Sequence, residues 1–412
     1  MKLGVRIAIL ISFFALVGVL TGISVIHTED PASDEILPVA NKNSITATEA
    51  PTRPPETATE KVISAFSEKK LDTLETTIDK KLKDMKFNGT FLVAVGDEVI
   101  YHKAMGYSDV DKKKKNTLNT KYEIGSCSKQ FTAAAIAKLE QEGKLSLNDN
   151  VSEYIDSKII SKKLKVYHLV NMCSGLPDYL NEYIYALEVG ERDTDTTFDK
   201  PEFMKWLDEQ KTNFKPGEFF HYSNTNYYLL GLIIEEVTGK SYEEYIEEEI
   251  FYPLYMDDSS LAMTDTDCEG YLDRDYTEGI KVDSTYFYSA GEIVSTTTDM
   301  LKWLNAYSRG KVLDSTRFKN AINIGKDGFN YGYGWFVCED YYYHTGNTEL
   351  FYAIDVATKK NDIKVIGLSN VNDTSLQQTG LAVLLSVENQ LFPGEHNVKP
   401  TEKPTEKSTQ RQ

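Results

Sequence analysis

Tyr122-Glu-Ile-Gly-Ser-Cys-Ser-Lys-Gln-Phe-Thr132 is the stretch on which the fold turns. From Ser126 onward Phe131, Ala135 and Leu139 recur on one face, which predicts a helix starting near Ser126 and stopping at Gly143. Ser126 and Lys129 then share that helical face, one turn apart. A Lys amine held beside a Ser hydroxyl, where the charged form is disfavoured, can take the hydroxyl proton. The helix N-terminus adds unpaired N–H groups that stabilise a developing oxyanion. Alone the pattern says little, because Ser-x-x-Lys arises by chance in most chains of 412 residues and usually means a surface Ser beside a solvated Lys.

Two further groups lie downstream. Tyr222-Ser-Asn224 closes the run Lys215-Pro-Gly-Glu-Phe-Phe-His-Tyr-Ser-Asn224, a loop before an apolar helix from about Thr225 to Val237. A Tyr relays a proton to a leaving group, and an Asn amide both donates and accepts. The plainer alternative is that Ser223 or Asn224 caps the helix. His344-Thr345-Gly346 follows Tyr341-Tyr342-Tyr343 on a predicted strand edge, where a Gly lets a substrate approach the backbone.

Outward from these groups the pattern is mixed. Leu71, Leu74, Ile78, Leu82 and Met85 fall at helical spacing. Thr90–Val95 and Glu98–Lys103 flank Gly96-Asp97, a hairpin signal. Another helix is predicted from Thr298 to Ser308. Strand-like runs follow at Tyr331–Val337, Leu350–Val356 and Ile363–Leu368, and a helix at Ser375–Leu391 closes the block. The reading is α+β: an antiparallel sheet built from both ends, with a helical region inserted between them.

In this order, Ser-x-x-Lys, Tyr-x-Asn and His-Thr-Gly resemble the serine β-lactamase and penicillin-binding-protein family, closest to its class C-like branch. Glu142-Gly-Lys-Leu-Ser-Leu-Asn-Asp149, His168-Leu-Val-Asn-Met-Cys-Ser-Gly-Leu-Pro177 and Tyr331-Gly-Tyr-Gly-Trp335 are similar to further family segments, so the resemblance covers about residues 65 to 390. It implies the β-lactamase/transpeptidase-like fold and a Ser126 acyl-enzyme formed without metal or organic cofactor. Lys129 would be base or relay partner, and Tyr222 would shuttle the proton to the leaving group. Asn224 would orient Lys129 and bind the substrate amide. His344, Thr345, Gly346 and Asn347 would line the substrate edge, with the backbone N–H groups of Ser126 and Asn347 forming the oxyanion hole. Whether Lys129 or Tyr222 is the base stays open. His344 stands where many relatives carry Lys, which moves weight from β-lactamase toward D-amino-acid peptidase, carboxypeptidase or esterase activity.

The ends read differently. Ile7 to Ile26 is uncharged and preceded by Lys2 and Arg6. Twenty apolar residues are enough to cross a bilayer core of about 30 Å, so residues 1–27 read as a membrane anchor or signal, with the bulk of the chain outside. Residues 28–62 read as a flexible linker, 63–392 as the hydrolase domain and 393–412 as a disordered tail. With 45 basic against 63 acidic side chains the net charge is −18, which argues against a nucleic-acid partner. The expected partner is a peptide or ester substrate, such as one derived from the cell wall. Cys127, Cys173, Cys268 and Cys338 form no CxxC pair. Cys127, turned about 100° from Ser126 on a helix, should be packed rather than catalytic, and spacing leaves the disulfide pairing open, Cys127–Cys173 included. No Gly-x-Ser-x-Gly, no His-Glu-x-x-His and no phosphate loop is present, and acidic pairs such as Glu235-Glu236 read as solvated faces. The rival reading is a non-catalytic cell-envelope peptide-binding protein of the same fold.

Overall fold

The structure, a computed structural model, describes residues 66–193, 196–322 and 330–394. The segments read from the sequence as anchor or signal, as linker and, beyond Gly394, as tail lie outside the described residues. No helix among those described is long and apolar enough to cross a membrane.

The predicted hairpin opens the sheet. Strands β1 (Gly89–Val95) and β2 (Glu98–Met105) pair antiparallel about Gly96-Asp97. Two short ribbons follow, β3 (Tyr107–Asp109) with β4 (Lys114–Lys115), and β5 (Tyr122–Glu123) with β6 (Val294–Ser295). The C-terminal part supplies β7 (Tyr331–Gly332), β8 (Trp335–Val337), β9 (Tyr341–Asn347), β10 (Tyr352–Thr358) and β11 (Ile363–Ser369). The main sheet runs β2-β1-β11-β10-β9-β8-β7, antiparallel throughout, with β1 beside β11. The two ends of the block therefore meet in the middle of one sheet, as the sequence predicts.

The helices are α1 (Glu68–Asp84), α2 (Lys129–Gln141), α3 (Val166–Val170), α4 (Tyr179–Glu188), α5 (Lys200–Glu209), α6 (Asn224–Thr238), α7 (Tyr242–Ile246), α8 (Thr297–Ser308), α9 (Ser315–Ala321) and α10 (Ser375–Leu391). Strand alternation divides the core in two. Phe91, Val93 and Val95 of β1 join Ile354 and Val356 of β10 under α1 and α10. Leu74, Ile78 and Leu82 recur every four residues on α1, so one stripe covers this face. Leu92 and Ala94 point the other way and join the larger cluster containing α2, α6 and α8. That second layer, between sheet and helical region, holds the site.

Local departures from the sequence reading concern turns. Gly125–Ser128 forms a 3-10 turn, and the α-helix proper begins at Lys129. Tyr331–Val337 is a hairpin of two strands, because Tyr333 and Gly334 both take left-handed backbone (φ +53° and +80°). Leu350 and Phe351 lie in a buried turn, so the strand expected from Leu350 begins at Tyr352. The stretch from Asp178 to Asp199, for which the sequence predicts no element, contains α4, capped where Asp178 accepts from Leu180 N. None of the four cysteines is in a disulfide.

Candidate active site

The 3-10 turn presents Ser126 and drives Lys129 into the interior. Lys129 is fully buried, and its Nζ donates to Ser126 Oγ at 2.8 Å, Asn224 Oδ1 at 2.8 Å and Ala290 O at 2.7 Å. Burial lowers its pKa to about 7, against the opposing pull of the Asp178 charge. Once the amine is neutral, two of these neighbours can only accept: the Ala290 carbonyl and Asn224 Oδ1. The lone pair is then left to the Ser126 hydroxyl.

Tyr222 and Asn224 arrive from the loop before α6. His221 N donates to Met172 O at 2.8 Å and sets the loop against the end of α3. Neither Ser223 nor Asn224 caps α6 through its side chain: Ser223 Oγ donates to Pro177 O, and Asn224 is the first helical residue. Lys129 Nζ lies 5.1 Å from the Tyr222 ring centroid. The Tyr222 hydroxyl is shut off from solvent without a hydrogen bond of regular geometry. Burial holds its pKa well above the ordinary value, with the Ser126 side chain pulling the other way.

The third group sits on β9. Beyond Tyr343 this strand has no partner on the β8 side, and the turn carrying Ser126 packs there instead. A Cβ at Gly346 would fall 1.8 Å from Ile124 O and 3.0 Å from Ser126 N. A Cβ at Gly125, whose φ is +50°, would fall 2.6 Å from Asn347 N. The bare face of Gly346 is thus filled by the backbone of Ile124 and Ser126, rather than kept open for substrate as the sequence reading has it. The crossing brings the amides of Ser126 and Asn347 to the same place. Thr345 is half-buried on this edge, and its carbonyl accepts from His344 Nδ1 at 2.6 Å. Tyr331 OH donates to His344 Nε2 at 3.2 Å. His344 is 1 % exposed, and burial lowers its pKa to about 3, so it is a neutral wall against Tyr222 and offers no cation.

A sequence model of the family described as Beta-lactamase matches residues 74–388. The chain belongs to the Beta-lactamase family. Protein flp of Staphylococcus aureus (strain N315) is 32 % identical over 302 residues, covering 69 % of this chain and 59 % of its own. The chain thus spans about three fifths of that relative. Penicillin-binding protein 4* of Bacillus subtilis (strain 168) is 27 % identical over 378 residues, covering 81 % and 79 %. Among solved structures, the octameric penicillin-binding protein homologue from Pyrococcus abyssi superposes with a TM-score of 0.67 at 29 % identity, covering 77 % of each chain.

Several residues of this Beta-lactamase family site escape the sequence reading. Asp178 takes Asn224 Nδ2 on both oxygens, at 3.2 and 3.0 Å, and Asn224 N at 3.3 Å. The one local signal for it is its place as a helix cap after Gly-Leu-Pro. On α2, one residue beyond Lys129, Gln130 Nε2 donates to both oxygens of Asp355 at 2.7 and 2.8 Å, and Trp303 Nε1 donates to Gln130 Oε1 at 2.7 Å. Cys127 is buried against the same carboxyl. Burial raises Asp355 to about 7, partly offset by Gln130. No signal in the sequence points to this network, which joins α2, α8 and β10. Among the described residues no group of His, Cys, Asp and Glu is arranged to hold a metal.

Proposed function

We propose that this chain is a serine hydrolase that acts on a peptide, amide or ester through an acyl-enzyme at Ser126. The observation that carries the reading is the buried Lys129 amine, whose other two partners leave only the Ser126 hydroxyl to hydrogen-bond its lone pair. Neutral Lys129 takes the Ser126 proton as Oγ adds to the substrate carbonyl. The amides of Ser126 and Asn347 receive the oxyanion. As the tetrahedral adduct collapses, the proton passes from Lys129 through Tyr222 to the leaving group. Water then reverses these roles, releasing the acid and restoring Ser126. Asn224 holds Lys129 and takes part in binding the substrate amide, while His344 to Asn347 supply the edge along which the substrate lies.

A neutral His344 offers no fixed charge for a β-lactam carboxylate, which favours D-amino-acid peptides, amides or esters over β-lactam turnover. The relative named penicillin-binding protein 4* makes a penicillin a sensible acylating probe. The apolar run Ile7–Ile26 supports a place at the outer face of the cell membrane. A fluorescent penicillin or a fluorophosphonate should label the wild type, and Ser126→Ala should abolish labelling. Equal labelling of the Ala variant overturns the assignment. D-amino-acid peptides, p-nitrophenyl esters and nitrocefin then rank the substrate classes by kcat/KM.

A further inference from the structure

Asp178 opens α4, where its Oδ1 accepts from Leu180 N at 3.1 Å and Asn224 N at 3.3 Å, and its Oδ2 from Asn181 Nδ2 at 3.0 Å. The Asn224 amide then donates to both oxygens. Every one of these partners is a donor, so the arrangement fits an ionised carboxylate and leaves a carboxylic O–H no acceptor. We propose that Asp178 is the positioning residue of the Ser126–Lys129 pair: its carboxylate fixes the Asn224 amide so that the carbonyl, and never the NH2, faces Lys129. The proposal rests on Ser126 being the nucleophile.

The consequence lies one bond further in. With Asn224 Oδ1 and Ala290 O both accepting, a neutral Lys129 spends its two protons on them and turns its lone pair to Ser126. A turned Asn224 would give the amine a donor, and the lone pair would be lost to it. Asp178 also acts by charge. The titratable groups facing Lys129 are the Cys127 thiol on the turn, Tyr222 on the loop, Tyr227 on α6, His344 on β9 and Asp178 itself. Burial keeps the thiol and both phenols protonated and the imidazole neutral near pH 7. Tyr179 and Tyr222, which feel the Asp178 charge, are neutral phenols as well. Asp178 is raised by burial only to about 6, so near pH 7 it is the charged member of this set and favours the Lys129 ammonium.

Asp178→Asn separates this role from simple support. The second-order rate of fluorophosphonate labelling is followed between about pH 5 and pH 9. The variant should lose on the order of 10- to 100-fold at the plateau, as the lone pair is misdirected. Its acid limb should move to lower pH, because the charge favouring the ammonium is gone. Loosened packing would do the reverse, since water reaching Lys129 returns its pKa toward the ordinary value. Asp178→Ser, which keeps a good helix cap but no charge, answers by the same readouts should the Asn variant not fold. Asp178→Glu, retaining the charge, should restore the limb. A limb that stays put or moves up in both uncharged variants overturns the proposal, whatever the rate. A wild type that resists the probe altogether sinks the Ser126 reading and this one with it.

Discussion

At the scale of single residues, the chemistry follows from where burial puts protons. A solvated Lys is charged until far above pH 7, whereas Lys129, desolvated, reaches its midpoint at about 7. As a base it works only when neutral, so kcat/KM on an ester should climb as pH rises through about 7 and level off above it. Tyr222 is pushed the other way and stays a phenol across that range. Tyr222→Phe should therefore slow turnover yet leave the acid limb in place, while Lys129→Ala should cost about 10²- to 10⁴-fold. A Phe variant that loses the limb would make Tyr222 the base. Ser126 and Lys129 are legible in the sequence because three residues along one turn fix their proximity. Asp178 is not, because its meaning comes from an amide 46 positions away.

The elements meet at one crossing, where the Ser126 turn lies across the end of β9 that has no partner on the β8 side. The space a side chain would need at Gly346 is taken by the carbonyl of Ile124, and that closeness sets the spacing of the two amides. Gly346→Ala should push the turn off the strand, lowering the labelling rate by on the order of 10²-fold, the scale of losing one oxyanion donor. Gly143→Ala makes the contrast. It ends α2 with a φ of +69° and nothing within 4 Å, so the cost should be about 1 kcal/mol of stability with labelling unchanged. Unimpaired labelling of Gly346→Ala would count against the crossing. The sheet is legible at this scale because apolar runs and Gly-Asp punctuation mark its strands. The β7–β8 hairpin is hidden, since Tyr333 adopts a conformation its side chain does not announce, and α4 is hidden by the apparent lack of motif around it.

Over the whole molecule, acidity extends from the surface to partly buried carboxyls and to the buried Asp355. The chain carries a net charge of −18, and within the fold Glu123, Glu349 and Asp355 are raised by burial to about 7 and Glu292 to about 8. In the unfolded chain these carboxyls return to near 4, so between the two values the folded state holds more protons. Stability then falls as pH rises through that window. The buried imidazoles of His168 and His344, near 4 and 3, oppose the trend only below about 6.5, where unfolded His still takes a proton. Lys129 opposes it from about 7 upward, and Lys359 and Lys364, also lowered by burial, add to that opposition at the alkaline end. The clean interval is about pH 6.5 to 7.5, where the Tm should drop. Glu292→Gln, which removes the highest of these carboxyls, should make that drop shallower. A Tm that holds level or rises over the interval in the wild type would mean that these carboxyls are ionised in the folded protein. The half-charged state of Lys129 near neutrality would then stand alone, rather than beside a set of carboxyls that also titrate there.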